Sequence, residues 1–546
     1  MHKIKSIQNN DIANQVALTL TIGISCYYLF LLSGKYYSPL SDFFAFKEIA
    51  EGIFNFHLEI SSKRLPVYPF LMGLVAKIIP AKKAILYAGI LISNFSYIGS
   101  IFLIHKIGQQ IGIKNSFLVS WFFAFSTLSL YCATQPLPEA TILFLILLSL
   151  YVKSDKLSLY ISGLATFTRF DAAIAIFANI PKIIIERKRR LIFLFFLILL
   201  IAVIFLGFYY LETGKTGYIG SIIGPKPFVI DKVMGNFVSL LRTINLFFMP
   251  DDHHATVSPE TRFHAQWWVQ LIWLINIFVI SVGVFHLIKL NKPNHWKVLT
   301  FFLLYFLFLW LYYYTDWRKM YLIVWFFPLY TIAGIEYLLL RWQKRKKFLV
   351  VSLVILGVIV IYSVFNTPYV KNLYHEFFSL GFELNSLSRF LIFLPICVYV
   401  FFKERQTRSK KYLVLMPLFL VIIPLISTHI AAIKNLNAGL WDLKAGMKVV
   451  KNVIKEDEKI FMPDKMVNCA TYLSDIPEKN IVTYHNKDLP IGNIKYIASF
   501  RSWDRDPVLK QLENNPKTIT IKNQEVNVTE IYHVGIFRLF EVVSKI

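Results

Sequence analysis

Apolar residues dominate this chain in long runs, parted by short polar or basic stretches. A run of about 20 apolar residues coiled as helix matches the thickness of a bilayer core. Such runs predict helices near 13–34, 84–105, 117–134, 139–152, 191–211, 267–289, 297–314, 319–340, 348–366, 387–402 and 412–432. The run over 157–185 is apolar too, but Lys153, Lys156, Lys182 and the basic residues at 187–190 flank both of its ends. That flanking predicts a re-entrant pair of short helices rather than a crossing. After residue 432 the pattern changes. The remainder is polar, with a predicted helix at Leu443–Ile454 and strand-like runs at Lys459–Met462, Asn480–Tyr484, Ile494–Ser499 and Val534–Leu539. The expected architecture is a polytopic α-helical membrane domain over 1–432, with about 11 spans, followed by a small soluble α/β domain over 433–546.

Composition agrees. The 546 residues are 56% hydrophobic and 16% aromatic, values foreign to a soluble core. The first apolar run lacks a small-residue cleavage site, so it is expected to be retained as a helix. The net charge of +25 raises the question of a nucleic-acid partner. The basic clusters at 187–190, 341–347 and 403–411 instead fall on one side of the predicted alternation, as the positive-inside rule requires. No stripe of basic and aromatic residues marks a soluble element, so nucleic acid is set aside. This topology places the N-terminus in the cytoplasm and the C-terminal domain outside. Cys26, Cys132 and Cys397 lie in apolar runs and Cys469 beyond them, which makes neither a disulfide framework nor a cysteine metal site. The absence of both disulfides and a eukaryotic targeting signal points to a bacterial inner membrane.

Charged residues on the predicted outer face carry the candidate chemistry. Asp42 precedes Phe46, Ile49 and Ile53 at helical spacing, so 43–54 reads as an amphipathic interfacial helix. Asp42 either caps that helix or acts as a general base on an acceptor hydroxyl. Arg64-Leu65-Pro66 turns the chain back toward the membrane, with a second apolar helix over Val67–Ile79. Arg64 either snorkels to head groups or holds a lipid phosphate with its forked donors. Glu139, after Pro138, is the only charged residue between Ser116 and Val152. It either complements a helix dipole or serves function at membrane depth. Arg169 and Asp171 lie inside the hairpin, where they pair with each other or face a polar cavity. Arg318, in Asp316-Trp317-Arg318-Lys319-Met320-Tyr321, is an interfacial anchor or a further phosphate ligand. Asp251, Asp252, His253 and His254 form a cluster in the 212–266 loop that is a candidate set for a divalent metal, although its spacing matches no strong motif. No other cofactor is implied. The chain has no Gly-rich phosphate loop, nucleophile elbow or HExxH helix, so ATPase and hydrolase readings lose ground.

Taken together these elements resemble the GT-C superfamily of integral-membrane glycosyltransferases, in the branch of protein O-mannosyltransferases and bacterial aminoarabinose transferases. Asp42-x-x-x-Phe46-x-x-x-Ala50-x-Gly52 is similar to the family's first-loop pattern. Arg64-Leu65-Pro66-x-Tyr68-Pro69 resembles its basic-plus-proline element, and Leu137-Pro138-Glu139 the acidic residue opening its fourth helix. The stretch Ala165–Asp171 and the run from Asp316 through Phe327-Pro328 resemble two later arginine elements. The resemblance implies transfer of a sugar from a polyprenyl phosphate to an acceptor at the outer face. In that scheme Asp42 is the base, Arg64, Arg169 or Arg318 neutralises the departing phosphate, and Glu139 orients the substrates. The first loop has a single Asp where protein mannosyltransferases have an Asp-Glu pair, which argues against protein mannosylation. The acceptor stays open among lipid, polysaccharide and protein hydroxyl. Two other classes compete. A transporter or lipid flippase calls for polar groups near the midplane and repeated helices. A non-catalytic scaffold leaves Asp42, Glu139 and the arginines without a task.

Overall fold

The computed structural model describes residues 2–36, 41–54, 64–179, 196–198, 200–201, 267–311, 317–341, 391–392, 394–407, 445–455, 457–463, 467, 470–472, 476–483, 494–500, 511–512, 517–521, 524–534 and 537–545. They fall into two compact units, Met1–Leu31 with Phe46–Ile433, and Leu32–Ala45 with Lys434–Ile546. The predicted spans at 348–366 and 412–432, nearly all of 191–211 and the 212–266 loop lie outside the described residues.

The helices in chain order are α1 (His2–Tyr36), α2 (Ser41–Phe54), α3 (Val67–Ala76), α4 (Ala84–Ile111), α5 (Ser116–Ala124), α6 (Thr127–Thr134), α7 (Glu139–Tyr151), α8 (Asp155–Thr166), α9 (Ile174–Phe177), α10 (Trp267–Leu290), α11 (Pro293–Leu311), α12 (Trp317–Met320), α13 (Phe326–Arg341) and α14 (Leu394–Thr407). Among the described residues, Ile12–Ser33 and Ala84–Ile111 are each long and apolar enough to cross a bilayer, and the bent pair α5–α6 can serve as a third crossing.

The long helix α4 is the hub of the first unit, packing on α3, α5, α6, α7 and α11. Small residues let its neighbours approach closely. Ser93 Oγ donates to the Leu137 carbonyl at 3.0 Å, Ser96 Oγ to Thr141 Oγ1 at 3.2 Å, and a Cβ at Gly99 would strike the Phe144 ring at 2.5 Å. The helix ends where Gly112 takes the left-handed conformation, φ 101°, which a Cβ would penalise.

Two predicted helices are broken in the structure. The run over 117–134 is not one straight helix but α5 and α6, meeting at 61°. Ser126 caps α6, accepting from the Ser129 N–H at 3.3 Å, and the Tyr97 hydroxyl donates to the Ala124 carbonyl. A backbone group freed by a kink in an apolar setting needs such a partner. The run over 319–340 divides into α12 and α13, joined by tight i→i+3 turns from Lys319 to Phe326. Pro328 explains the restart. It has no N–H to give the preceding turn, so it fits the first turn of α13 and not a helix interior. Of the 157–185 run, the described residues to 179 form most of α8, a 3₁₀ turn over Phe170–Ala173, and α9.

In the second unit a six-stranded sheet runs in the order β2-β1-β3-β6-β5-β4. The strands are β1 (Lys459–Phe461), β2 (Ile481–Val482), β3 (Ile494–Phe500), β4 (Thr518–Ile521), β5 (Gln524–Val534) and β6 (Phe537–Lys545). β1 pairs in parallel with β2 and β3, and the remaining pairs are antiparallel. Phe461, Val482, Ile497, Leu512, Ile519, Val526 and Phe540 form its core. A helix over 445–453 lies against β6, so close that a Cβ at Gly446 would meet the Phe537 ring at 2.1 Å. The strand expected over Val534–Leu539 is corrected. β5 ends at Val534 and β6 begins at Phe537, so that apolar run straddles a hairpin.

Candidate active site

Among the described residues of the first unit, a deeply buried charge lies at the start of α7. Pro136 and Pro138 stiffen the turn before it, and the turn is pinned to α4 by Ser93 on the Leu137 carbonyl and by Pro136 against Gly89. This delivers Glu139 with its side chain 1% exposed. A lone carboxylate there is costly, so it demands cations. Two arginines meet it. Arg318 donates to Glu139 Oε1 from Nε at 2.8 Å and from a terminal nitrogen at 2.6 Å, and Arg169 donates to the same oxygen at 3.2 Å. The other oxygen, Oε2, is buried and bonded to no described group.

Arg169 is placed by the end of α8. Its N–H closes on the Ala165 carbonyl at 3.0 Å, and the chain then turns extended, with φ −160° and ψ 135°. Asp171, two residues on, grips the guanidinium at two points, Oδ1 on Nε at 2.7 Å and Oδ2 on a terminal nitrogen at 2.5 Å. The expected Arg169–Asp171 pair is therefore present, and the guanidinium also reaches Glu139. Arg318 is half-buried on the short helix α12, beside the buried Lys319. Among the described residues the cluster sets the carboxylates of Glu139 and Asp171 against the guanidinia of Arg169 and Arg318. The forked donors of two guanidinia suit an anion with several acceptor oxygens.

Arg64 comes to the same neighbourhood through its backbone. The Val67 N–H donates to the Phe167 carbonyl at 3.4 Å, which sets the Arg64-Leu65-Pro66 turn against the end of α8. Its guanidinium lies 5.2 Å from the centre of the Phe46 ring. Asp42 stands in the first turn of α2, within the second unit, where its neighbours Phe43 and Phe44 each lie 5.8 Å from the Tyr472 ring. The structure thus gathers Glu139, Arg169 and Arg318 into one network, with Arg64 on an adjoining turn. Asp252, His253 and His254 lie outside the described residues, and among those described no group of three or more His, Cys, Asp or Glu gathers as a metal site.

Sequence reasoning missed Tyr305. Its buried hydroxyl lies 3.0 Å from Asp171 Oδ2 and 3.3 Å from the Lys319 carbonyl. Tyr305 sits in an aromatic-rich span, and nothing local sets it apart from Phe301 or Phe308. Lys319 carried a signal, as a second charge directly after Arg318.

No family model matches the chain, and no curated protein matches it in sequence. Solved structures do match in fold. ArnT from Cupriavidus metallidurans in the apo state superposes with a TM-score of 0.51 at 9% identity, over 96% of this chain and 97% of that one. The same protein bound to undecaprenyl phosphate gives a TM-score of 0.54 at 9% identity, over 96% and 98%. The chain is thus a polytopic α-helical membrane protein with a small C-terminal α/β domain, similar in fold to ArnT over nearly its whole length.

Proposed function

We propose that this protein is a glycosyltransferase that moves a sugar from a polyprenyl-phosphate carrier to an acceptor at the outer face of the membrane. The observation that carries the reading is the convergence of Arg169 and Arg318 on one buried carboxylate oxygen. The fold likeness supports it, since ArnT was crystallised with undecaprenyl phosphate.

By the sequence resemblance, Asp42 is the base that takes the acceptor hydroxyl's proton while the hydroxyl oxygen bonds to the anomeric carbon. The bond from that carbon to the phosphate oxygen breaks, and its electrons stay on the polyprenyl phosphate. The added negative charge is met by Arg169 and Arg318, with Arg64 as the third cation. Glu139 Oε1 is already occupied by the two guanidinia. The role of Glu139 is to orient those arginines and, through Oε2, to accept a hydrogen bond from the sugar. The inner membrane of a bacterium, with the N-terminus in the cytoplasm and the C-terminal domain outside, is the setting that the charge pattern favours.

The test uses purified protein in detergent, a panel of radiolabelled polyprenyl-phosphate sugars, and a membrane extract as acceptor. Wild-type protein is expected to transfer from at least one donor, and Asp42→Asn to lose transfer by about 10²- to 10⁴-fold while folding normally. No transfer from any donor by folded protein would turn the reading toward a transporter. Normal transfer by Asp42→Asn would remove the base assignment alone.

A further inference from the structure

Tyr305 joins the polar network but has no task in the phosphate reading. It is fully buried on α11, its ring stacked on Phe301 at 5.7 Å between centroids. Its hydroxyl carries one proton and faces two acceptors, Asp171 Oδ2 and the Lys319 carbonyl. The first acceptor belongs to the turn that carries Arg169. The second belongs to the short helix that carries Arg318. Asp171 occupies the Nε edge of the Arg169 guanidinium at two points, so the orientation of its carboxylate sets the plane of that fork. The remaining terminal nitrogen is then the one aimed at Glu139.

We propose that Tyr305 is a positioning residue, whose hydroxyl registers the Arg169 turn against the Arg318–Lys319 turn so that both guanidinia present to one phosphate. The inference rests on the polyprenyl-phosphate reading above. Its physical basis is that a misplacement of about 1 Å at a charge-stabilising group costs up to about 100-fold in rate. Without the hydroxyl, Asp171 loses one of the two groups that fix its carboxylate. The Lys319 carbonyl loses its tie to the other turn at the same moment.

Tyr305→Phe removes one oxygen and keeps the ring stack. With the polyprenyl-phosphate sugar that the wild type accepts, it is expected to lower kcat by about ten-fold or more. Binding of undecaprenyl phosphate, titrated directly, is expected to weaken about three- to ten-fold. A residue that acts through both guanidinia has less to act on once Arg169 is crippled, so Tyr305→Phe is expected to cost Arg169→Lys clearly less than it costs the wild type. Asp171→Asn is expected to reproduce the Tyr305→Phe pattern, and it serves as the second variant if Tyr305→Phe unfolds. Wild-type kcat and binding in Tyr305→Phe or in Asp171→Asn would overturn the proposal. So would losses that multiply in the double variant, as a purely structural role predicts. Those results sink the positioning role alone, since the wild type still transfers. A wild type that neither transfers nor binds undecaprenyl phosphate sinks the glycosyltransferase reading, and this inference with it.

Discussion

Arg318 clamps Glu139 with two of its nitrogens, at 2.8 and 2.6 Å, across 179 residues of chain. The contact ties the opening of α7 to the short helix α12. Because Arg169 donates to the same oxygen, removing the carboxylate leaves two guanidinia close together with nothing between them. Glu139→Ala is expected to destabilise the protein by about 3–5 kcal/mol, the usual result of breaking a buried pair from one side. Glu139→Gln keeps the shape and one acceptor oxygen, so its loss is expected to be smaller. Thermal unfolding in detergent ranks the three proteins. Equal melting temperatures would mean that the network holds nothing together.

The forked geometry also separates arginine from lysine. Arg318→Lys keeps the charge but offers one point donor where the guanidinium offers two fixed ones. The variant is expected to melt within a few degrees of wild type yet to transfer sugar about ten-fold more slowly, or worse. Initial rates at saturating donor are the measurement. A rate equal to wild type would show that only charge matters at this position.

Much of this site was legible in the sequence. A charge inside an apolar run is costly enough to demand a reason, which singles out Glu139 and Arg169, while Arg318 stands out as a cation between two apolar runs. The same cost left Arg169 and Asp171 either paired with each other or facing a polar cavity, and the structure shows the pair. Which arginine would meet which carboxylate was not legible, because Glu139 and Arg318 are brought together only by packing of helices far apart in sequence. Tyr305 was hidden for a related reason. A buried tyrosine in a run of phenylalanines reads as packing until its hydroxyl is seen against Asp171. Among the helices, hydropathy located α4, α7, α10 and α11 within a few residues. It ran through the breaks at Phe125–Ser126 and at Tyr321–Trp325, because a kink between two apolar helices leaves hydropathy unchanged. Pro328 was the available signal for the second break. The first is held by hydroxyls of Ser126 and Tyr97, whose partners are visible only in three dimensions.

The sheet of the C-terminal unit carries a pH-sensitive pair. Lys495 on β3 donates to Glu458 Oε1 at 2.8 Å, just before β1. That hydrogen bond holds the Glu458 carboxyl below its usual range and raises the Lys495 ammonium. A lowered carboxyl contributes stability above its unfolded value and loses it as pH falls through the folded one. A raised ammonium contributes below its unfolded value and loses it as pH rises through the folded one. The pair therefore supports the sheet across the neutral range and at neither extreme. Exposure and salt screening keep the effect small. The melting difference between wild type and Glu458→Gln, at low salt, is expected to be largest near neutral pH and to close below about pH 4. A difference that stays constant between about pH 3 and 7 would dismiss the pair.

The contact between α10 and α13 depends on two glycines. A Cβ at Gly283 would lie 2.0 Å from the Tyr330 carbonyl oxygen, and one at Gly334 would lie 2.1 Å from that of Val279. Both obstacles are backbone, so no side chain can swing aside to relieve them. Close approach of this kind is how helices gain contact in a membrane, where burying apolar surface offers little drive. Gly283→Ala gains some helix propensity, roughly 1 kcal/mol, but the clash outweighs it. Overpacking against immobile atoms costs about 1–3 kcal/mol, and separating the helices forfeits contacts along their length as well. Gly283→Ala and Gly334→Ala are each expected to lower the melting temperature, and Gly283→Leu to lower it further. Because the two glycines face the same crossing, the double alanine variant is expected to lose less than the sum of the single losses, the helices having already parted. Thermal unfolding of the four variants in one detergent gives the comparison. Single alanine variants as stable as wild type would show that the helices cross farther apart than these distances require.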